Sequence, residues 1–340
     1  MTLRTLRYLR PAAPRAIAAR PATVVTALAF ALGATVAATP AHAQAWPNRP
    51  IRVLLPFAGG TDLVARILAA RLSQSLGQPV IPEPRLGAGG NLAHEAAIKA
   101  AADGYTLLMA APPLAINPHV NPAAAFDPVR DLAAVAQVAA IPNVLVVHPL
   151  VPARDVRELV ALARRQPGRL NYGSGGVGSS PHLAGELFKA LTGTRIEHVP
   201  YKSATLALGQ AVGGEVDLVF VASSSAVPYV KQGRMRALAV LDTRRVADLP
   251  GVPTSAEAGL PQLQAVNWYV LMAPRDTPRA IVERLNAEVN RAIATPEVRE
   301  RLAAMGGEVL SGTADQASEF IRSEFARWGQ VVKAAGIRAD

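Results

Sequence analysis

Residues 53–62 read Val53-Leu54-Leu55-Pro56-Phe57-Ala58-Gly59-Gly60-Thr61-Asp62, and this stretch decides the fold prediction. Its aliphatic start is typical of a buried strand that ends at Pro56, and apolar residues at helical spacing follow over 63–76. Two glycines lie between the strand and the helix. Glycine lets a backbone approach a ligand, and the unpaired N–H groups of a helix start attract negative charge. We therefore predict that one end of a carboxylate ligand is held by Phe57, Ala58, Gly59, Gly60, Thr61 and Asp62.

The first 43 residues have the pattern of a secretory signal peptide. They contain five arginines and no acidic residue, then an apolar stretch over 22–39, and then Ala41-His42-Ala43. A positive start, an apolar middle and an A-x-A site predict cleavage after Ala43 and export to the periplasm. No two arginines are adjacent before the apolar stretch, which favours the Sec route. An uncleaved membrane anchor is the alternative, since about 18 apolar residues can span a bilayer.

Composition and charge argue against several classes of protein. The five leader arginines account for half of the formal net charge of +10, and the remaining basic residues are scattered among few aromatics. We therefore expect no nucleic-acid surface. The chain has no cysteine, so it has neither disulfides nor a lipoprotein anchor. The histidines lack metal-ligand spacing, and Gly87-Ala88-Gly89-Gly90-Asn91 lacks the spacing of a dinucleotide site, so we expect neither metal nor cofactor.

Strands alternate with helices from Pro50 onward, which predicts an α/β fold with parallel strands and helices on the sheet faces. Ligand sites in such sheets lie at the carboxyl ends of the strands, where the glycine loops fall. We expect irregular chain over 112–128. We expect separate strands over 133–139 and 144–148, because Pro142 interrupts them.

Residues 170–192 repeat the design of strand, glycine loop and helix, about 120 residues after the first one. Two such units predict two lobes with facing loops. We place lobe 1 at 44–144 and 268–340 and lobe 2 at 145–267, since the chain is expected to cross between lobes near 142–146 and 264–270. Hydroxyls and amides of the glycine loop within 170–192, together with the ends of two further strands, add these candidate ligand residues: Ser174, Gly175, Gly176, Ser179, Ser180, His182, Tyr201 and Ser223.

Other interpretations of these residues remain open. Serines at a helix start often only cap it, and Tyr201 often only packs. Ser179 or Ser180 with His182 would suit a periplasmic hydrolase, but G-x-S-x-G is absent and no aspartate completes a triad. A receptor that signals to a membrane kinase is a third possibility. We favour a non-catalytic protein that binds a small organic acid.

An ordered set of motifs also resembles one family, the Bug or TctC-type periplasmic solute receptors of tripartite tricarboxylate transporters. The resemblance spans nearly the whole chain after the leader. It rests on these segments: 56–62, 83–91, 103–108, 170–174, 198–202, 238–240, 250–254 and 257–259.

The resemblance implies a two-lobed periplasmic-binding-protein fold, type II-like, that closes like a flytrap on its ligand. It implies a di- or tricarboxylate, an acidic amino acid or an aromatic acid as ligand, held by residues 57–62 and 174–180, and membrane permease subunits as partners. We expect a monomer. This chain departs from the family pattern twice. The first glycine loop is two residues shorter, which predicts a wider or shallower pocket on that side, and Ala222-Ser223-Ser224-Ser225 replaces a stretch of Asp or Asn.

Overall fold

The computed structural model describes residues 46–121 and 124–337, so the predicted signal peptide lies outside the described residues. Within that part of the chain ten strands form one mixed sheet, in the order β2-β1-β3-β9-β4-β7-β5-β6, with β8 and β10 also paired to β4. The strands are β1 Ile51–Leu55, β2 Val80–Pro84, β3 Thr106–Ala110, β4 Leu132–Val147, β5 Asn171–Ser174, β6 Glu197–Pro200, β7 Leu218–Ala222, β8 Arg236–Val240, β9 Val266–Pro274 and β10 Glu308–Val309.

Helices cover both faces of this sheet. They are α1 Gly60–Leu76, α2 Asn91–Ile98, α3 Pro113–Val120, α4 Pro128–Asp131, α5 Val156–Arg165, α6 Ser180–Thr192, α7 Ala204–Gly213, α8 Ser223–Lys231, α9 Arg279–Ala294, α10 Pro296–Ala303 and α11 Ala314–Ala335. A 3-10 turn at Ala88–Gly90 precedes α2. Among the described residues no helix is both long and apolar enough to cross a membrane.

The predicted parallel strands occur in each lobe. Strand β1 pairs in parallel with β2 and β3, and β5 pairs in parallel with β6 and β7. The strands between these two groups are antiparallel, because β4 carries the chain from the first lobe to the second and β9 carries it back. The sheet is therefore antiparallel at its centre and parallel in the part of each lobe that leads into the glycine loops.

Strand β4 corrects the prediction of two strands separated at Pro142. It is one strand of 16 residues that pairs with β9 along its first part and with β7 and β8 along its last part. Proline cannot donate to a ladder, but the adjacent N–H of Asn143 donates to Ala265 O at 3.2 Å. The buried run that follows, Val144 to Val147, has strands on both sides, so tertiary pairing overrides the local proline signal.

Helix α3 corrects the prediction of irregular chain over 112–128. Pro113 stands in the first turn, where its missing N–H costs nothing and its fixed φ suits a helix. Leu114, Ala115 and Ile116 are fully buried, and this burial stabilises the helix although Pro118 lies inside it. The helix brings Asn117 beside residues 87–91, called the second glycine loop below, where its side chain donates to Gly89 O.

The C-terminal helix α11 is fastened to the returning strand β9 by a shared carboxylate. Trp268 of β9 and Trp328 of α11 both donate their indole N–H to Glu324 Oε2, at 2.8 and 3.2 Å. Glu324 is buried and also pairs with Arg327. This hydrogen bonding holds the last helix against the strand that links the lobes.

Candidate functional site

Six helices begin directly after the carboxyl ends of parallel strands or shortly beyond them. In the first lobe these are α1, α2 and α3, which follow β1, β2 and β3; in the second they are α6, α7 and α8, which follow β5, β6 and β7. The first amides of a helix have no partner within the helix and carry partial positive charge. The strand ends of each lobe therefore present several N–H groups suited to an anion.

The first glycine loop has the backbone that the sequence predicted. Gly59 has φ +82° and ψ −124°, and the first helical hydrogen bond runs from Leu63 N–H to Gly59 O. The amides of Gly60, Thr61 and Asp62 therefore come before the helical ladder of α1. Ala58 is exposed and Thr61 is buried.

Phe57 joins this loop to the second glycine loop. A Cβ added to Gly90 would lie 2.8 Å from Phe57 Cζ, so the aromatic ring rests directly on that glycine. Gly90 also has φ +94°, which favours glycine there for a second reason. The two glycine loops of the first lobe are thus one packed unit.

Asp62 is occupied by a neighbour on its own helix. Its two carboxylate oxygens accept hydrogen bonds from Arg66 Nε at 3.0 and 2.9 Å. The hydrogen bond and the charge of Asp62 raise the pKa of Arg66. Because Arg66 offsets the negative charge of Asp62, the carboxylate opposes an anion at the loop amides less than a free one would.

The three predicted serines of the loop at 174–180 are engaged with protein groups. Ser174 Oγ accepts from Gly176 N–H at 3.1 Å and lies 2.6 Å from His198 Nε2. Ser179 caps α6 by accepting from His182 N–H at 3.4 Å. Ser180 Oγ accepts from Asn143 Nδ2 at 3.0 Å. These bonds give the loop a fixed shape from 174 to 180.

Two histidine rings support that loop from behind. Gly178 N–H donates to His182 Nδ1 at 3.2 Å, so this nitrogen carries no proton. The His182 ring lies 4.3 Å from the His198 ring, which is stacked on Tyr172. Burial lowers the pKa of His182, and burial followed by the nearby His182 lowers the pKa of His198 to about 4. Both rings are therefore neutral near pH 7.

The same cluster ends in a half-buried acid, Glu186, that has a structural role. Tyr172 Oη donates to Glu186 Oε1 at 2.6 Å, and Lys189 pairs with the same carboxylate at 2.7 Å. Burial alone would raise the pKa of Glu186, but the hydrogen bonds from Lys189 and Tyr172 hold it below its usual range. Glu186 thus binds Tyr172 and Lys189, while Ser179 and Ser180 act as a cap and an acceptor. These contacts do not form the triad of a hydrolase.

Of the remaining predicted residues, Gly175 lies within the loop at 174–180, Tyr201 follows β6, and Ser223 follows β7. A Cβ on Gly175 would lie 2.8 Å from Ala204 N, so this glycine packs against the start of α7. Tyr201 is half-buried, and its N–H donates to Ser174 O at 3.0 Å. Ser223 opens α8, is fully buried and has no hydrogen-bond partner for its Oγ among the described residues.

Several asparagines belong to the site although the sequence analysis did not select them. Asn143 is fully buried on β4; it donates to Ser180 and accepts from Asn267 Nδ2 at 2.6 Å. The two crossing strands are thereby joined to the start of α6. Asn117 on α3 is likewise buried and donates to Gly89 O and Asn91 Oδ1. These residues lie far apart in the chain, so no local spacing reveals them.

The lobes meet at their glycine loops. A Cβ on Gly178 would lie 2.9 Å from Asn117 Oδ1, and a Cβ on Gly89 would lie 3.8 Å from Val177 O. The loop at 174–180 therefore faces the second glycine loop and α3, and the packing of Phe57 on Gly90 links that second glycine loop to the first.

Two surface grooves lie away from these loops. One of 260 Å³ borders the crossing part of β4, and its basic residues Arg244 and Arg245 are paired with Glu308 and Glu257. The other, of 670 Å³, lies beyond the far end of β4 beside the exposed Leu150. Neither groove contains a residue that the sequence predicted for binding.

Together, the fold and the facing loops define a class, the two-lobed solute-binding proteins. Within that class, the chain belongs to the family described as the tripartite tricarboxylate transporter family receptor, whose model matches residues 64–337.

Individual relatives agree with this assignment. Protein BugT of Bordetella pertussis is 37% identical over 305 residues, which are 88% of this chain and 94% of that protein. The structure of R. palustris Rpa4515 with adipate matches with a TM-score of 0.80 and 36% identity, covering 86% of this chain and 99% of that one. MatC (Rpa3494) from Rhodopseudomonas palustris with bound malate matches with a TM-score of 0.78 and 34% identity, covering 84% and 100%.

These matches confirm the predicted family and the periplasmic-binding-protein fold. They also confirm that the chain is a receptor of the solute-binding kind and not an enzyme, because the matched family consists of binding proteins. The hydrolase alternative is thereby set aside, in agreement with the contacts of Ser179, Ser180 and His182.

Proposed function

We propose that this protein captures a small organic carboxylate between its lobes and delivers it to the membrane permease of a tripartite tricarboxylate transporter. Lobe 1 comprises residues 44–144 and 268–340, and lobe 2 comprises 145–267. The protein acts as a monomer in the periplasm after removal of residues 1–43, and the lobes close on the ligand.

One observation carries this proposal: in each lobe, helices begin at or shortly beyond the carboxyl ends of parallel strands, and the glycine loops at these ends come into contact between the lobes, at Asn117 and Gly178. N–H groups at helix starts suit a carboxylate at each end of a ligand. The ligand class is supported by the structures with adipate and malate, which are both dicarboxylates. A ligand that touches both lobes stabilises the closed state through its greater affinity for that state.

A thermal-shift screen tests the ligand class. The purified exported protein is heated with adipate, malate, citrate, glutamate or nicotinate, and with adipamide as the uncharged control. A ligand at about 100 times its Kd stabilises the fold by about 2.7 kcal/mol, so at least one acid is expected to raise the Tm in a concentration-dependent way. The proposal fails if no carboxylate raises the Tm or if adipamide raises it equally.

Replacing Gly59 by alanine is expected to weaken binding of the best carboxylate at least tenfold. Gly59 has room for a Cβ, but its φ of +82° with ψ of −124° lies outside the regions open to other residues. The loop must therefore change shape and its amides turn from the ligand. Calorimetric titration of the variant and the wild-type protein measures the change.

Gly77 at the other end of α1 provides the matched control. It also has room for a Cβ, but its φ of +68° with ψ of 13° is left-handed helical backbone, which alanine adopts at a cost of roughly 1–2 kcal/mol. Gly77→Ala should therefore lose some stability and keep its affinity. Equal affinity of Gly59→Ala and wild type would show that the first loop does not hold the ligand.

A further inference from the structure

The side chain of Asn117 contacts both lobes at the point where they meet. Its Nδ2 group donates both hydrogens within the first lobe, to Gly89 O at 2.7 Å and to Asn91 Oδ1 at 2.8 Å. These bonds orient the carboxamide and leave its Oδ1 directed at the second lobe, where Gly178 lies. Asn117 is 3% exposed, so its side chain has little freedom to turn away.

Gly178 is equally constrained from its own side. It is buried, has φ +78°, and donates its N–H to His182 Nδ1 at 3.2 Å. A Cβ at this position would lie 2.9 Å from Asn117 Oδ1, a separation shorter than Cβ atoms show in real structures. Neither side can yield easily, because Asn117 is held by two hydrogen bonds and Gly178 by the histidine behind it.

We propose that Asn117 is a positioning residue for ligand capture. It holds the second glycine loop in place, and the loop at 174–180 of the other lobe packs against it. That packing requires a residue without a side chain at Gly178. This inference rests on the proposed function. A contact that forms only when the lobes meet stabilises the closed state and not the open one. It therefore raises the affinity for the ligand although it does not touch the ligand.

The test compares two glycines of the same loop. Gly178→Ala places a methyl group against Asn117, whereas Gly176→Ala meets nothing nearer than Tyr201 O at 3.5 Å. Gly176 has φ +103°, further from left-handed helical backbone than Gly178, so the control carries at least as much backbone strain. Affinity is measured by titration with the carboxylate that gives the largest thermal shift among adipate, malate, citrate, glutamate and nicotinate.

We expect Gly178→Ala to weaken binding at least tenfold more than Gly176→Ala. Small-angle scattering should show wild type and Gly176→Ala contracting on ligand addition and Gly178→Ala contracting less. Urea unfolding of each variant without ligand verifies that it is folded.

Asn117→Ala gives the decisive comparison, because it removes the oxygen that the new methyl group would meet. Asn117→Ala itself should weaken binding, because it releases Gly89 and Asn91. Relative to that single variant, adding Gly178→Ala should lower the affinity no more than adding Gly176→Ala does. If the cost of Gly178→Ala is the same in both backgrounds, or if the two glycine variants bind alike, the inference is wrong while the proposed function stands. If the wild-type protein responds to no carboxylate, the proposed function fails and the inference falls with it.

Discussion

Lowering the pH from about 7.5 to about 5 will destabilise this protein, and replacing His94 by leucine will remove part of that loss. His94 on α2 is completely buried, and neither ring nitrogen has a hydrogen-bond partner within residues 46–121 and 124–337. Its ring packs edge-to-face with that of Phe126, with the centroids 5.5 Å apart. Burial lowers the pKa of His94 from its ordinary value of 6.5 to about 3.

The sign of the effect follows from where the proton binds first. As the pH falls below about 6.5, the unfolded chain takes up a proton at His94 that the folded chain refuses until about pH 3. The unfolded state binds more protons throughout that window, so stability falls with pH by about 1.4 kcal/mol per unit for one histidine. At about pH 5 the loss from His94 alone is about 2 kcal/mol.

Urea unfolding at about pH 7.5, 6 and 5 measures this effect. His94→Leu should be at least as stable as wild type at about pH 7.5, because it replaces a buried side chain whose nitrogens lack partners by an apolar one of similar volume. Its advantage should then grow by about 2 kcal/mol by about pH 5. Some pH dependence will remain, since burial lowers the pKa of His182 and His198 in the same direction.

His119→Leu is the control for the general effect of replacing a histidine by leucine in this protein. His119 is half-buried on α3, and its Nε2 lies 2.9 Å from Phe325 O. His94→Leu must flatten the pH dependence more than His119→Leu does. Parallel losses of stability in wild type and His94→Leu would mean that His94 accepts its proton in the folded state near its ordinary pKa.

The parts of the fold that could be predicted from sequence are those with a local signature. The glycine loop at 57–62 and the loop at 174–180 each follow a short strand and precede a helix, and the structure places a helix start at both. Such a signature depends on backbone conformation within about ten residues. The two-lobed division followed from finding this signature twice.

The parts that were missed depend on contacts between distant residues. Asn143 became important because β4 continues through Pro142 and brings it beside Asn267 and Ser180. The pairing partners that carry β4 past the proline lie about 80 to 130 residues later, so no local pattern predicts the continuation.

The second glycine loop shows the same limit in the candidate site. The spacing of residues 87–91 argues against dinucleotide binding and for a structural turn or a site wall, but it does not reveal the partners: in the structure Phe57 packs on Gly90 and Asn117 binds Gly89. Asn117 lies on α3, in a stretch that proline and asparagine made look irregular. Burial of three apolar residues formed the helix, and burial is a property of the whole fold.

Gly185→Ala is expected to cost about 2 kcal/mol or more of stability. Gly185 lies inside α6 with its Cα facing Tyr172, and a Cβ there would lie 2.3 to 2.9 Å from three atoms of the ring. The ring is held by hydrogen bonds from its Oη to Glu186 and His182 O and by stacking on His198. Because three ring atoms clash, forcing the ring aside should cost about 3 kcal/mol, the upper end of the usual range for overpacking, against a gain of about 1 kcal/mol in helix propensity.

Gly209 provides the matched control for this substitution. It is an exposed glycine inside α7, and a Cβ there would meet nothing within 4 Å. Gly209→Ala should therefore gain up to about 1 kcal/mol, so the two variants should differ by about 3 kcal/mol in urea unfolding. Equal stabilities would mean that Tyr172 moves freely.

A shift of the Tyr172 ring should also displace the loop at 174–180, which we propose contacts the ligand. Its ring stacks on His198, whose Nε2 lies 2.6 Å from Ser174 Oγ, the first hydroxyl of that loop. Gly185→Ala should therefore weaken carboxylate binding as well as stability, whereas Gly209→Ala should change neither the affinity nor the stoichiometry of a calorimetric titration. A Gly185→Ala protein that unfolds more easily but binds with wild-type affinity would show that the aromatic cluster stabilises the lobe without positioning the loop.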